Sequence, residues 1–285
     1  MNIRQQLAIG FRSYFKAVKY IHQNKLYWIF PIPALLMLFV YFLGIKLAHW
    51  TATFDSKVTC LGCQSMNDTI WFLLKIFFSL ILGLTLMKFA KYIVVILLSP
   101  LFSMISRQIE KKLTGNHYKF SLDQTMKDTK RGILIAFRNM FWWYLYTGII
   151  LFIAYLGWND IYRSPIFYLI FPIAFYYYGF SFIDYINERR RLDIQQSVHF
   201  MRKYKGLAIS IGSIYTLFIF LPVNIGKMID FSQFFSDPFD TSVTILIHLV
   251  MWGLASIAPV LAIVSATLAM HELIDLKSNQ TSFES

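Results

Sequence analysis

The chain has 285 residues, of which 57% are hydrophobic and only 15% are charged, and its net charge is +12. Soluble domains carry about 25% charged residues, so this composition, with a mean hydropathy of +0.53, excludes an ordinary soluble protein. The basic excess does not indicate a nucleic-acid partner, because the lysines and arginines lie in short segments between apolar runs, as in membrane proteins.

Residues 1–25 are predicted to form an amphipathic helix at the membrane interface. Four apolar residues recur there at helical spacing: Leu7, Phe11, Phe15 and Val18. The segment is too basic for a cleavable signal and lacks an apolar core of that type. We expect its apolar face to enter the lipid while its basic residues meet anionic headgroups. The alternative is a helix that packs on the rest of the protein.

Residues 26–276 are predicted to form a single helical membrane domain, followed by a disordered tail at 277–285. Six apolar stretches occupy this domain: 26–48, 69–87, 133–157, 165–186, 207–226 and 242–270. Each is close to the ~20 residues that a helix needs to cross a bilayer, and lipid leaves an open strand edge without partners. The predicted fold class is therefore an all-α, polytopic integral membrane protein with long spanning helices.

Two features of these stretches leave their depth in the bilayer open. The second stretch runs on to residue 105 and is interrupted by Lys88 and Lys91 and again by Ser99-Pro100, so we expect a break near Pro100. The pairs 133–186 and 207–270 contain prolines and glycines. Each pair is either two full crossings or a hairpin that enters only part of the bilayer.

The distribution of positive charge predicts the orientation. Basic residues are dense before the first stretch and in segments 106–132 and 187–205, which we assign to the cytoplasm. The alternate connections are poor in them, including the predicted outer loop 49–68, whose only basic residue is Lys57. Both termini are therefore expected in the cytoplasm of a bacterial cell, with the protein in its inner membrane.

Four residues are candidates for binding a small anion. Lys88 and Lys91 share one helix face and would favour an anion path if they face a pore, although the preferred interpretation is that both are boundary residues that snorkel. Asn24 and Lys25 precede the first span, where free backbone amides can hold an oxyanion. The alternative is that they cap and anchor the helix. Separately, Asp184 is expected to pair with Arg138 across two helices in a structural role.

Cys60 and Cys63 lie in the predicted outer loop, in the order Cys-Leu-Gly-Cys-Gln. The pattern is not a haem-attachment motif, and the loop lacks the two further ligands that a zinc site would need. A local disulfide is the preferred interpretation, with a redox-active pair as the alternative.

Signatures of enzymes are missing from the sequence. It contains no HExxH, no P-loop and no GxSxG, so we expect no catalytic residue, no bound metal and no cofactor. No acidic residue falls at the middle of an apolar stretch, where proton-coupled carriers commonly use one. A passive, channel-like path is favoured for any transported ion.

Three blocks of the sequence resemble the CysZ family of sulfate permeases, which shares a membrane domain with the eukaryotic etoposide-induced proteins. The first block runs from Leu98-Ser99-Pro100 to Thr114-Gly115. The second begins at Asp184-Tyr185 and continues through Lys205-Gly206 and Gly212 to Leu221-Pro222. The third is the Ala258–Thr267 segment. The three blocks resemble the family in their order and spacing as well, and together they extend across most of the chain.

The resemblance implies an all-helical, homo-oligomeric membrane protein that lets sulfate enter the cell. The family's Gly-hydrophobic-Arg-Arg element before its first span aligns with Gln23–Leu26 here, where Lys25 keeps one positive charge and Leu26 replaces the other. A lysine is a point charge without the planar fork of arginine. A different anion therefore remains open, as does a second function, a membrane scaffold that transports nothing and binds lipid or partner proteins.

Overall fold

The computed structural model describes residues 1–57, 67, 70, 97–115, 122–158, 160–190, 192–232 and 234–274. Within these residues the structure is helical and contains no strand. The helices are α1 (Ile3–Gln23), α2 (Pro31–Lys57), α3 (Ser99–Thr114), α4 (Leu122–Gly157), α5 (Ile170–Arg189), α6 (Ile194–Lys203), α7 (Lys205–Ile219), α8 (Ile225–Met228) and α9 (Pro238–Ile274). Short 3₁₀ turns occupy Leu26–Ile29, Ile161–Arg163 and Pro165–Leu169.

Four helical segments are long and apolar enough to cross a membrane: Leu26–Lys46, Lys130–Gly157, Pro165–Glu188 and Pro238–Ile274. Their outer surfaces carry large apolar side chains, and Phe152, Leu156 and Phe239 are 63%, 69% and 77% exposed. Contiguous apolar exposure on this scale is costly in water and is what a lipid-facing surface requires. The predicted all-α, polytopic membrane fold is confirmed.

The fifth apolar stretch, 207–226, forms a shorter helix than the four segments named above. α7 ends at Ile219 after 15 residues, or about 22 Å at 1.5 Å per residue, which is less than the ~30 Å hydrocarbon core. The chain then turns through Leu221-Pro222, where the proline ring cannot continue the helical hydrogen bonds. α7 alone is therefore too short to cross a bilayer.

The C-terminal half of α9 lies at the centre of the molecule. Small and branched residues from Ala258 to Met270 are almost all buried there, whereas the N-terminal half of the same helix is largely exposed. Helices α1, α3, α5 and α7 pack around the buried half. Small side chains allow close approach of neighbouring helices in membranes, and this explains why a helix this apolar becomes the core.

Helix α1 packs against α7 and α9 through a face of mainly small and polar residues. The buried amide of Gln6 donates to the backbone oxygen of Lys203 at 3.1 Å and accepts from the N–H of Gly206 at 2.9 Å. Tyr14 donates its hydroxyl to the backbone oxygen of Ile211 at 2.5 Å. The predicted apolar face is a different one, and Phe15 on it is 79% exposed.

Helix α3 begins at Ser99 and has Pro100 in its first turn, where the missing N–H is tolerated. This agrees with the predicted break at that proline. The helix ends at Gly115, which adopts a left-handed φ of 78° and donates its N–H to Lys111. A hydrogen bond of 2.7 Å between the hydroxyls of Ser106 and Thr267 fixes α3 to α9.

The predicted ion pair between Asp184 and Arg138 was wrong. Asp184 pairs with Arg131, two turns earlier in α4, at 3.2 Å and also accepts from the Ser197 hydroxyl. Arg138 instead donates to Asn139 at 3.3 Å and lies 5.9 Å from the centre of the Phe180 ring. The antiparallel register of α4 and α5 brings residue 131 opposite residue 184, and hydropathy does not reveal that register.

Candidate functional site

Asn24 and Lys25 lie at the corner where α1 gives way to the first span. Asn24 ends α1, and both its backbone N–H and its side-chain Nδ2 donate to the carbonyl oxygen of Tyr20, at 3.0 Å and 2.9 Å. It therefore closes a helix, whereas the sequence placed it at a helix start. α2 begins only at Pro31, after a 3₁₀ turn over Leu26–Ile29.

Lys25 adopts a left-handed backbone conformation with φ 51° and ψ 40°. Among the described residues it is the only one other than glycine with a positive φ. This conformation reverses the chain between α1 and the 3₁₀ turn, and helices commonly end on a glycine in it. A lysine there incurs conformational strain and carries an exposed ammonium group at the tip of the corner.

A second lysine reaches this corner from another helix. Lys112, in the last turn of α3, donates its Nζ to the Oδ1 of Asn24 at 2.7 Å. The helix C-terminus is a favourable place for a cation. The end of α3 thus places a positive charge beside Asn24, the residue next to Lys25. We call Asn24, Lys25 and Lys112 the basic corner.

The backbone of the basic corner is held on both sides. Ile29, at the end of the 3₁₀ turn, is fully buried in the protein core. On the exposed surface of the protein, the His22 ring is hydrogen-bonded to the Tyr27 hydroxyl, and the two rings meet edge to face. Tyr27 and Trp28 are about half exposed, and aromatic residues of this kind are enriched where a span meets the membrane surface.

The basic corner has the chemistry of a shallow anion site. Its two ammonium groups provide donors without acceptor competition, and a doubly charged oxyanion would be favoured by both. Both lysines are exposed, so each contributes modestly and an ion would exchange readily with solvent. This geometry suits transient contact with an anion better than tight retention.

The other predicted site residues cannot be placed in the same way. Lys88, Lys91, Cys60 and Cys63 lie outside the described residues. The anion-path hypothesis for the lysines and the disulfide hypothesis for the cysteines therefore stay predictions from the sequence.

Lys112 is the residue of the basic corner that sequence reasoning missed. It lies in the Leu98–Gly115 block, but nothing in the sequence places the end of α3 beside the end of α1. The available signal was a pair of lysines, Lys111 and Lys112, just before a helix-ending glycine. That signal indicates a basic helix terminus and does not identify its neighbour.

Comparison with known proteins gives one family. The family model described as Sulfate transporter CysZ/Etoposide-induced protein 2.4 matches residues 13–225, which include all three residues of the basic corner. Among curated proteins no match to this chain was found.

Proposed function

The chain belongs to the sulfate transporter CysZ/etoposide-induced protein 2.4 family, and from this premise we propose that it is a permease or channel-like protein for a small inorganic anion, sulfate. The observation that carries the proposal is the family match itself, which spans residues 13–225. At the level of the family the role is transporter-like. No enzyme activity is proposed, and the four spanning helices support a protein that acts within the membrane.

The basic corner is the proposed site at which the anion binds at the cytoplasmic end of its path. Lys25 and Lys112 would together offset part of the cost of removing water from a divalent anion, and Asn24 would hold Lys112 in place. We propose Lys88 and Lys91 as further positive groups along the path. Sulfate is retained as the substrate because the family description names it.

The proposed setting is the bacterial inner membrane with both termini in the cytoplasm. The support is the alternation of basic and charge-poor connections along the sequence. In this orientation the exposed apolar face of α1, which includes Phe15, would lie in the inner leaflet. Assembly into a homo-oligomer is part of the proposal and rests on the family resemblance.

A charge reversal at Lys25 tests transport against the scaffold function. The protein and its Lys25→Glu variant are purified, reconstituted in liposomes and compared for anion flux and for assembly by size-exclusion chromatography. A permease should lose most of its flux in the variant and still assemble. A scaffold would give no flux with either protein, and equal nonzero flux from both would remove the basic corner from the path.

A further inference from the structure

Two grooves meet on the outer surface of α4, α5 and the α6–α7 corner. The first has a volume of about 510 Å³ and is lined by basic and polar residues, chiefly Arg138, Gln195, His199 and Arg202. The second has a volume of about 520 Å³ and is lined mainly by apolar and aromatic residues, chiefly Tyr146, Pro172, Ile173, Tyr177 and Ile209. We call them the basic groove and the apolar groove. Arg202 lines both, so the two grooves are adjacent.

Positive charge concentrates where the grooves join. Arg138 lies in the basic groove, Lys205 lies in the apolar groove, and Arg202 lies between them. No carboxylate lines either groove, and no hydrogen bond or ion pair joins Arg202 to another described residue. Three cations without an acidic partner in the lining form a binding surface for a phosphate or a similar anion.

Arg138 and Arg202 act on the same place although they come from different helices. Both lie close enough to the Tyr176 and Tyr177 phenols to interact with them electrostatically. Arg138 is half-buried, and its contact with the Phe180 ring holds the guanidinium group beside α5. The two guanidinium groups therefore lie near the same part of the apolar groove, beside Tyr176 and Tyr177.

The apolar groove extends away from these charges along the spanning helices. Tyr146 is two turns beyond Arg138 in α4, about 12 Å along the helix axis, and its ring stacks on Tyr177 with the centroids 6.5 Å apart. Pro172 and Ile173 lie in the span Pro165–Glu188. A soluble anion would make no favourable contacts along the apolar groove, whereas the acyl chain of a lipid would.

We propose that the basic and apolar grooves together bind one anionic phospholipid. Its phosphate contacts Arg138, Arg202 and Lys205, and one acyl chain lies in the apolar groove against Tyr146 and Ile209. Basic pockets between membrane helices recognise lipid headgroups in this way. The site is separate from the basic corner, and it does not depend on whether the protein transports sulfate.

Lipid retention measured by native mass spectrometry tests this proposal. The detergent-solubilised protein is mixed with phosphatidylglycerol or with phosphatidylcholine of the same acyl chains, and bound lipid is counted after mild activation. We expect preferential retention of phosphatidylglycerol, reduced about fivefold for each charge removed in Arg138→Gln and Arg202→Gln. Arg163→Gln is the matched control, because Arg163 is an exposed arginine that lines neither groove and lies outside the basic face of α1.

Two further measurements keep the result unambiguous. Tyr146→Ala should lower retention of both lipids, because it removes a wall of the apolar groove and leaves the charges in place. Inorganic phosphate at millimolar concentration should not displace phosphatidylglycerol. Equal retention of the two lipids, an Arg202→Gln variant that binds like the Arg163→Gln control, or displacement by inorganic phosphate would each overturn the proposal.

Discussion

Gly179 of α5 and Gly212 of α7 face each other where these two helices cross. A Cβ atom added to Gly179 would lie 1.8 Å from the carbonyl oxygen of Ala208, and one added to Gly212 would lie 1.7 Å from the carbonyl oxygen of Phe175. Both distances are far inside van der Waals contact and involve backbone atoms. The two helices therefore touch backbone to backbone, the arrangement that small residues allow in membranes.

This crossing predicts that Gly212→Ala destabilises the protein severely. The methyl group can be accommodated only if α5 and α7 separate, which we expect to cost about 3 kcal/mol or more. Gly253→Ala is the control, because a Cβ atom there meets nothing within 4 Å and alanine is the better helix former. Thermal unfolding in detergent, followed by tryptophan fluorescence, measures both. Equal unfolding temperatures for the two variants would show that α5 and α7 do not touch backbone to backbone at Gly212.

The ion pair between Arg131 and Asp184 predicts a second large effect. Asp184 is almost fully buried, and Arg131→Gln would remove the cation that pairs with its carboxylate, at an expected cost of about 3 kcal/mol. The exposed pair Lys16–Glu272 provides the comparison, since Glu272→Gln should change stability by only about 0.5 kcal/mol. Chemical unfolding in the same detergent gives the free energy of unfolding of both variants. A larger loss of stability in Glu272→Gln than in Arg131→Gln would contradict this prediction.

The basic corner predicts unequal roles for two adjacent lysines. The Lys112 side chain donates a hydrogen bond to Asn24. Lys111 takes part through its backbone, where its carbonyl oxygen accepts the N–H of Gly115. Lys112→Gln should lower sulfate flux at subsaturating concentration about fivefold, and Lys111→Gln, its matched control, should leave flux close to wild type. If both variants lose flux equally, the effect is one of general surface charge.

Lys25→Gly should change stability and transport in opposite directions. Glycine relieves the left-handed backbone conformation of this position, a gain of about 1 kcal/mol, while the ammonium group is lost. We expect a higher unfolding temperature together with lower sulfate flux. Lys25→Arg retains both charge and strain and should resemble wild type in both measurements. A Lys25→Gly protein that transports sulfate normally would exclude a role for this charge.

Much of the fold is predictable from the sequence because lipid imposes a simple rule on length and polarity. Four of the six apolar stretches coincide with helices long enough to cross a bilayer, and Pro100 marks the start of α3 because a proline is tolerated best in a first turn. α7 ends at Ile219, before the 207–226 stretch does, and the sequence had left open whether this stretch crosses the whole bilayer.

Contacts between segments that are distant in the sequence could not be predicted from it. The Asn24–Lys112 and Arg131–Asp184 pairs join residues that are 88 and 53 positions apart. Each depends on the way helices pack, which apolar periodicity leaves undetermined. The packed face of α1 was missed for a related reason, because Gln6 and Gly10 lie on it and its most apolar side chains point elsewhere.

Saturable sulfate uptake by the reconstituted protein tests the central claim most directly. Proteoliposomes and empty vesicles are compared for uptake of radiolabelled sulfate, with chloride and phosphate as competing anions, and insertion is verified by protease protection. We expect uptake above that of empty vesicles, saturation with sulfate concentration, and weaker competition by chloride than by unlabelled sulfate. Correctly inserted protein that takes up sulfate no faster than empty vesicles would contradict the proposed function and leave only the fold and the family membership standing.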